Sequence, residues 1–256
     1  MNEASAKKLS VLIPVYNEAD TVAEVLDRVR QADLSSLGLG VQAVIVDDGG
    51  ADGGGEIMRR FLADHPDFDA KLIVLPTNCG KGCAIQHALA AADGEFVIVQ
   101  DADLEYHPRD WPVLLAPLVR GEADVVFGSR IMPLGADQKR RRVYRIGLTI
   151  GKAVVFVLWP GAYYTDMATC YKAFRTDLLR ALRLERQHFD FDAEVAVKLL
   201  NRRIPIVERP ISYRPRFKEH GKKIRWGDFF EGMWVVFRYR FYDPTLRLFD
   251  YRRGGS

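Results

Sequence analysis

Long hydrophobic runs are missing from this chain. Its longest apolar stretch, Ala153 to Tyr164, is too short to span a bilayer and contains Pro160. The first eight residues, Met1 to Lys8, have no apolar core of the kind a secretory leader carries. Together these features lead us to expect a cytosolic or peripheral protein rather than an integral one. Cysteine is scarce as well: Cys79, Cys83 and Cys170 are the full set, and no zinc-finger spacing occurs among them. Reduced thiols are the expectation. Two phosphate-binding signatures are also absent. The turn after the first apolar run, Pro14 to Glu18, has no G-x-G-x-x-G, which disfavours a dinucleotide-dependent dehydrogenase. No G-x-x-x-x-G-K-[ST] occurs either, which disfavours a P-loop NTPase.

What is present is ordinary in bulk and uneven in detail. The 256 residues are 48% hydrophobic and 28% charged, enough to bury a sizeable core. The net charge of +3 hides an asymmetry: from Asn201 onward there are fourteen Lys and Arg against six Asp and Glu, so the remainder is net acidic. A basic C-terminal quarter suits phosphates or an anionic membrane surface.

The acidic residues cluster where apolar runs end. Glu95 to Val99 reads as a buried strand, and Asp101, Asp103 and Glu105 follow it directly. Carboxylates spaced by two at a strand end suit hard cations such as Mg²⁺ or Mn²⁺ that leave positions open for substrate phosphates. Leu9 to Ile13, Val41 to Val46 and Lys71 to Leu75 read as three further strands. Helices are expected between them, with Val22, Val25, Leu26 and Val29 inward in the first and Ile57, Met58, Phe61 and Leu62 inward in the second. A third spans Cys83 to Ala92. Alternation of this kind predicts an α/β fold with a doubly wound, mainly parallel sheet flanked by helices. Ligands of such sheets sit at the carboxyl ends of the strands. Each of those ends here carries polar or acidic residues: Asn17 and Glu18, Asp47 and Asp48, Asn78 and Lys81, Asp101 and Asp103. With lysine for phosphate, glycines for close approach and acids for hydroxyls or a metal, a nucleoside diphosphate carrying a transferable group is the natural ligand.

Six motifs then occur in order: Pro14-x-Tyr16-Asn17-Glu18, Asp47-Asp48-Gly49, Asn78-x-Gly80-Lys81-Gly82, Asp101-Ala102-Asp103, Gly128-Ser129-Arg130, and Thr165-Asp166 through Thr169-Cys170-Tyr171-Lys172. This set resembles a family 2 glycosyltransferase of the GT-A fold, and within it the dolichyl- and polyprenyl-phosphate sugar synthases, over about residues 9 to 240. The resemblance implies one sugar moved with inversion from GDP-mannose or a UDP-hexose to a polyprenyl phosphate, using Mg²⁺ or Mn²⁺. It further implies that Pro14, Tyr16, Glu18, Asp48, Lys81 and Asp101 bind the donor nucleotide, and that Asp101, Asp103 and Glu105 hold the metal. Arg130 would meet phosphate at the reacting centre, with Asp103 and Asp166 beside it. Lys222, Lys223 and Arg225 match a loop that closes over substrate phosphates. The expected organisation is a GT-A domain over residues 9 to 215, followed at 216 to 256 by a basic loop and an amphipathic aromatic segment of the same domain.

Two departures stand out. The family pattern Asp-Asp-Gly-Ser-Thr-Asp is here Asp47-Asp48-Gly49-Gly50-Ala51-Asp52, without the hydroxyls that cap a helix. C-terminal membrane helices, frequent in the family, are not expected. Candidate membrane contacts are the basic run Lys139 to Arg145 and the end of the chain, where Trp234, Phe237, Tyr239, Phe241, Tyr242, Phe249 and Tyr251 interleave with Arg238, Arg240, Arg247, Arg252 and Arg253. No nucleic-acid reading module accompanies these residues. The segment Phe189 to Glu194 opens a further helix, with Glu194 as support rather than chemistry. A saccharide or other hydroxyl acceptor, or nucleotide-sugar binding without turnover, stand as alternatives.

Overall fold

The computed structural model describes residues 7–132, 153–162, 164–215 and 226–251, with side chains from residue 231 in the last segment. Lys139 to Arg145, Lys222, Lys223, Arg225, Arg252 and Arg253 lie outside the described residues.

The N-terminal half follows the alternation of the sequence. Strand β1 (Lys7–Val15) leads to helix α1 (Val22–Arg30), β2 (Leu39–Asp47) to α2 (Gly54–Asp64), and β3 (Ala70–Val74) to α3 (Lys81–Ala91), before β4 (Phe96–Val99). These four strands lie side by side in the order β3-β2-β1-β4, all parallel. Strands covered on both faces read as continuous apolar runs, and Leu9, Val11, Leu12, Ile13 and Phe96 to Ile98 are accordingly shut off from solvent. In α1 the four expected residues, Val22, Val25, Leu26 and Val29, are buried. In α2 only Met58 of the expected four is fully buried, while Ile57, Phe61 and Leu62 pack at the edge of the core.

The second half completes the sheet less regularly. After α4 (Trp111–Val119) come β5 (Val125–Ser129), β6 (Lys172–Arg175), α5 (Thr176–Ala181), α6 (Phe191–Asn201), β7 (Val207–Pro210) and α7 (Trp226–Phe241). The seven strands run β3-β2-β1-β4-β6-β5-β7, with β6 antiparallel to both its neighbours and β5 parallel to β7. Because β6 points the other way, its start at Lys172 lies on the edge where the other strands finish. The 129–130 end of β5, the 165–172 segment and the residues after β7 therefore converge with the acidic turn after β4. No helix among the described residues is long and apolar enough to cross a membrane.

Candidate active site

The site occupies the carboxyl edge of the sheet and is built from turns that bond to one another. Pro14 pairs with Val46 in the β1–β2 ladder, and Tyr16 stands partly exposed just past the strand. Asn17 adopts φ 50° and its Oδ1 accepts the Ala51 N–H at 2.9 Å. Asp52 accepts the Ala19 N–H at 2.7 Å and the Gly54 N–H at 3.0 Å, and Asp47 Oδ1 accepts Gly50 N–H at 3.0 Å. Gly53, the residue that caps helix α2, has no side chain with which to do so. The altered Gly50-Ala51 segment is thus held by flanking acids and Asn17 instead of by hydroxyls.

Asp48 is buried and its carboxylate organises the next turn. Its oxygens accept Cys79 N–H at 2.7 Å, Gly80 N–H at 3.0 Å and the Asn78 amide at 2.9 Å. Gly80 has φ 97°, and an added Cβ would come within 2.3 Å of His188 Nδ1, so only glycine fits there. Cys79 and Cys83 correct an expectation: they form a disulfide rather than two reduced thiols. Cys79 lies in the turn before α3 and Cys83 in the first turn of that helix, and their Cα atoms are 5.7 Å apart, inside the range a disulfide spans. Only Cys170 is free, and it is buried. Support for a cytosolic location from reduced thiols falls away with this bond.

Lys81, between the two half-cystines, ion-pairs with Asp101 at 2.8 Å, with both side chains largely buried. Burial works most strongly against the Asp101 carboxylate, but the charge and hydrogen bond of Lys81, with Cys170 and Lys172, together hold the pKa below the ordinary value. The turn that follows is tied to α1, since the Thr21 hydroxyl sits 2.6 Å from Ala102 O and 3.0 Å from the Glu18 carboxylate. Leu104 takes φ 60°, and the Glu105 N–H donates to Asp103 Oδ1 at 3.1 Å. Asp103 is the electrostatic exception. Burial, then the charges of Asp101 and Glu105, push its pKa up to about 7. Glu105 accepts the Tyr213 hydroxyl at 2.7 Å.

A second cluster surrounds Arg130. Its Nε and Nη2 donate to the two oxygens of Asp166 at 2.7 and 2.8 Å, its backbone N–H donates to Asp166 at 3.1 Å, and Nη2 also reaches Ala168 O at 2.8 Å. Asp166 is fully buried; burial works against its charge, but Arg130 holds its pKa below the ordinary value. The sequence paired both residues with substrate, and the structure pairs them with each other. Glu208, which the sequence did not single out, fixes the Thr165–Asp166 backbone by accepting both N–H groups, at 2.8 and 3.1 Å, and the Thr165 hydroxyl at 2.8 Å. Tyr213, also missed, stacks over the Arg130 guanidinium at 5.1 Å while bonding Glu105. One tyrosine therefore links the two clusters. Only pairing of β7 with β5 brings Glu208 and Tyr213 here, and no local pattern signals it. Glu194 accepts the Glu185 and Arg186 N–H groups and ion-pairs with Lys198 at 2.8 Å, a structural role.

Among the described residues, no three His, Cys, Asp or Glu side chains gather closely enough to form a metal cage. That donor set still fits Mg²⁺ or Mn²⁺ of the kind that shares its shell with substrate phosphates, because one or two carboxylates then suffice. Burial first, and then the charges of Asp101 and Glu105, raise the Asp103 pKa to about 7, and a cation beside these carboxylates would favour its charged form.

Comparison with known proteins agrees with this picture. Residues 10–183 match the model of glycosyl transferase family 2. The undecaprenyl-phosphate 4-deoxy-4-formamido-L-arabinose transferase of Edwardsiella ictaluri is 32% identical over 84% of this chain and 62% of its own length. Glycosyltransferase AglJ of Haloferax volcanii is 29% identical over 80% of this chain and 63% of its own. The chain thus spans about three fifths of these relatives. Among solved structures, glucosyl-3-phosphoglycerate synthase of Mycobacterium tuberculosis superposes with a TM-score of 0.66 at 20% identity, covering 93% of this chain and 82% of that one. The same enzyme has been crystallised with Mn²⁺, UDP and glucosyl-3-phosphoglycerate, and that form gives a TM-score of 0.64 at 19% identity, covering 93% of this chain and 81% of that one. Both share the GT-A fold.

Proposed function

Since the chain belongs to glycosyl transferase family 2, we propose that it transfers a single sugar, with inversion, from a GDP- or UDP-sugar to a polyprenyl phosphate at the cytosolic face of a membrane. The observation that carries this reading is the acidic turn after β4, which sets Asp103 and Glu105 beside the Lys81–Asp101 pair at the carboxyl edge of the sheet. The lipid acceptor is supported by the undecaprenyl-phosphate transferases among the relatives.

Pro14, Tyr16, Glu18 and the Asp48-ordered turn are assigned to the nucleoside, and Lys81 to the diphosphate. Asp101 and Asp103 would hold Mg²⁺ or Mn²⁺, with Glu105 steadied by Tyr213 beside them. When bound, the cation offsets the charge that develops on the departing diphosphate. Arg130 is assigned to the acceptor phosphate, with Lys222, Lys223 and Arg225 as further phosphate contacts. Asp166 acts through Arg130: it fixes the guanidinium plane and is a positioning residue. Its two oxygens are taken up by Arg130 and its pKa is lowered, so it is poorly suited to accept a proton from an acceptor. A lipid phosphate needs no such base. Its second pKa lies near ~6, so it arrives as an anion at neutral pH.

The test offers labelled GDP-mannose or UDP-glucose, with Mn²⁺, to polyprenyl phosphate and separately to the matching polyprenol. Label extracted into organic solvent with the phosphate alone is the expected result. Equal transfer to the alcohol would replace the proposed acceptor with a hydroxyl. Donor binding without transfer or hydrolysis would leave only a nucleotide-sugar-binding protein.

A further inference from the structure

Helix α7 has apolar residues on two opposite sides. Val235, Val236 and Tyr239 are buried against Val197 and Ala193 of α6, and Tyr239 is anchored further by its hydroxyl bond to Glu185 at 2.8 Å. With about 100° between successive residues, Trp234, Phe237 and Phe241 fall together on the far side. They are 65%, 42% and 76% exposed, and Tyr242 just beyond is 65% exposed. A helix apolar on two sides needs a second apolar partner. The patch extends beyond α7: Arg240 donates to Leu158 O at 2.9 Å and lies 5.3 Å over the Trp159 ring. That contact brings the helical segment 153–158 alongside, with Phe156 63% and Val157 72% exposed.

The charges on this patch have one effective sign. From Glu231 to Leu248 they are Arg238, Arg240 and Arg247 against Glu231 and Asp243, and Asp243 is buried in an ion pair with Arg202 at 2.6 Å, which leaves the exposed charge net positive. Arg238 and Arg240 fall on either side of the aromatic stripe. A second copy of the chain docked through this face would set arginine against arginine, because a two-fold interface uses the same patch twice. An anionic bilayer meets both requirements: aromatic side chains settle at the headgroup boundary, and arginines meet lipid phosphate.

We propose that the outer face of α7, with Phe156 and Val157, docks the protein on the interfacial zone of an anionic membrane. This rests on the lipid-acceptor reading above and deepens it by naming the surface that would meet the membrane.

The experiment uses the full chain with phosphatidylcholine vesicles, with and without phosphatidylglycerol. The wild type is expected to co-sediment with the anionic vesicles and to be released by high salt. Trp234→Glu combined with Phe241→Glu changes two exposed residues and should weaken that binding by about tenfold or more. The same variant should transfer sugar normally to a water-soluble short-chain prenyl phosphate and poorly to a vesicle-embedded long-chain one. Vesicle binding as expected, with neither acceptor used, would keep the docking face and remove the acceptor reading. Transfer without wild-type vesicle binding, or a variant that binds equally well, would overturn the docking face. Loss of a dimer in the variant, with vesicle binding unchanged, would overturn it in favour of self-association.

Discussion

At the Arg130 corner, Asp166 accepts three N–H groups from one arginine and its pKa falls; in the turn after β4, Asp103 accepts the Glu105 N–H, faces two other carboxylates, and its pKa rises to about 7. Both carboxylates sit on the same sheet edge and both are removed from most solvent. One charge is answered within the chain, so removing it breaks the structure. The other is left unanswered, a folding cost that makes sense where a cation and a diphosphate complete the balance.

Substitutions should separate the two sites sharply. Asp166→Asn leaves Arg130 buried without its counter-charge and should cost about 3–5 kcal/mol of folding stability, read from urea unfolding. A loss below about 1 kcal/mol would mean that the pair is not what holds this corner. Asp103→Asn should do the reverse. Transfer should fall by about 10²-fold or more, while the melting temperature of the chelated protein holds or rises, because a repelled charge has been removed. Retained transfer, or a destabilised variant, would dissolve the contrast.

The Cys79–Cys83 bond sits between these extremes. It clamps the turn that presents Lys81, and Cys79→Ser should cost about 2 kcal/mol for so short a loop, measured by thermal unfolding against the oxidised wild type. A wild type whose melting is unchanged by reductant would show that the clamp adds nothing.

A pH dependence sharpens the contrast further. Asp103 titrates at about 7 in the folded protein against 3.8 when unperturbed, so the folded state holds its proton more tightly. Stability from that proton is present at about pH 4 and lost as pH rises toward about 7. His107 has a lowered pKa, chiefly through burial, and acts in the opposite direction over part of this range. The difference between wild type and Asp103→Asn therefore isolates the carboxylate. A flat difference across that range would place Asp103 in a balanced environment after all.

The sequence made the left half of the sheet plain, because parallel strands covered on both faces leave continuous apolar runs such as Leu9 to Ile13 and Phe96 to Val99. It also showed which residue types gather at the strand ends. It did not show how they pair. Arg130 and Asp166 are 36 positions apart and each suits a substrate as well as it suits the other. Glu208 and Tyr213 enter only through a four-residue strand too short to carry a periodic signal. Zinc spacing and compartment say nothing of the Cys79–Cys83 bond, which depends on the Gly80 turn bringing Cys79 within 5.7 Å, Cα to Cα, of the first turn of α3.

The central claim is that the unanswered charge at Asp103 is a seat for a cation that carries a nucleoside diphosphate. Calorimetric titration of UDP and GDP at pH 8, with Mn²⁺ and with chelator, tests it most directly. We expect one of the two nucleotides to bind the wild type at least about tenfold more tightly with Mn²⁺, and Asp103→Asn to lose that increment while keeping the metal-free affinity. Equal affinity with and without Mn²⁺ in the wild type, or the same Mn²⁺ increment in Asp103→Asn, would contradict it.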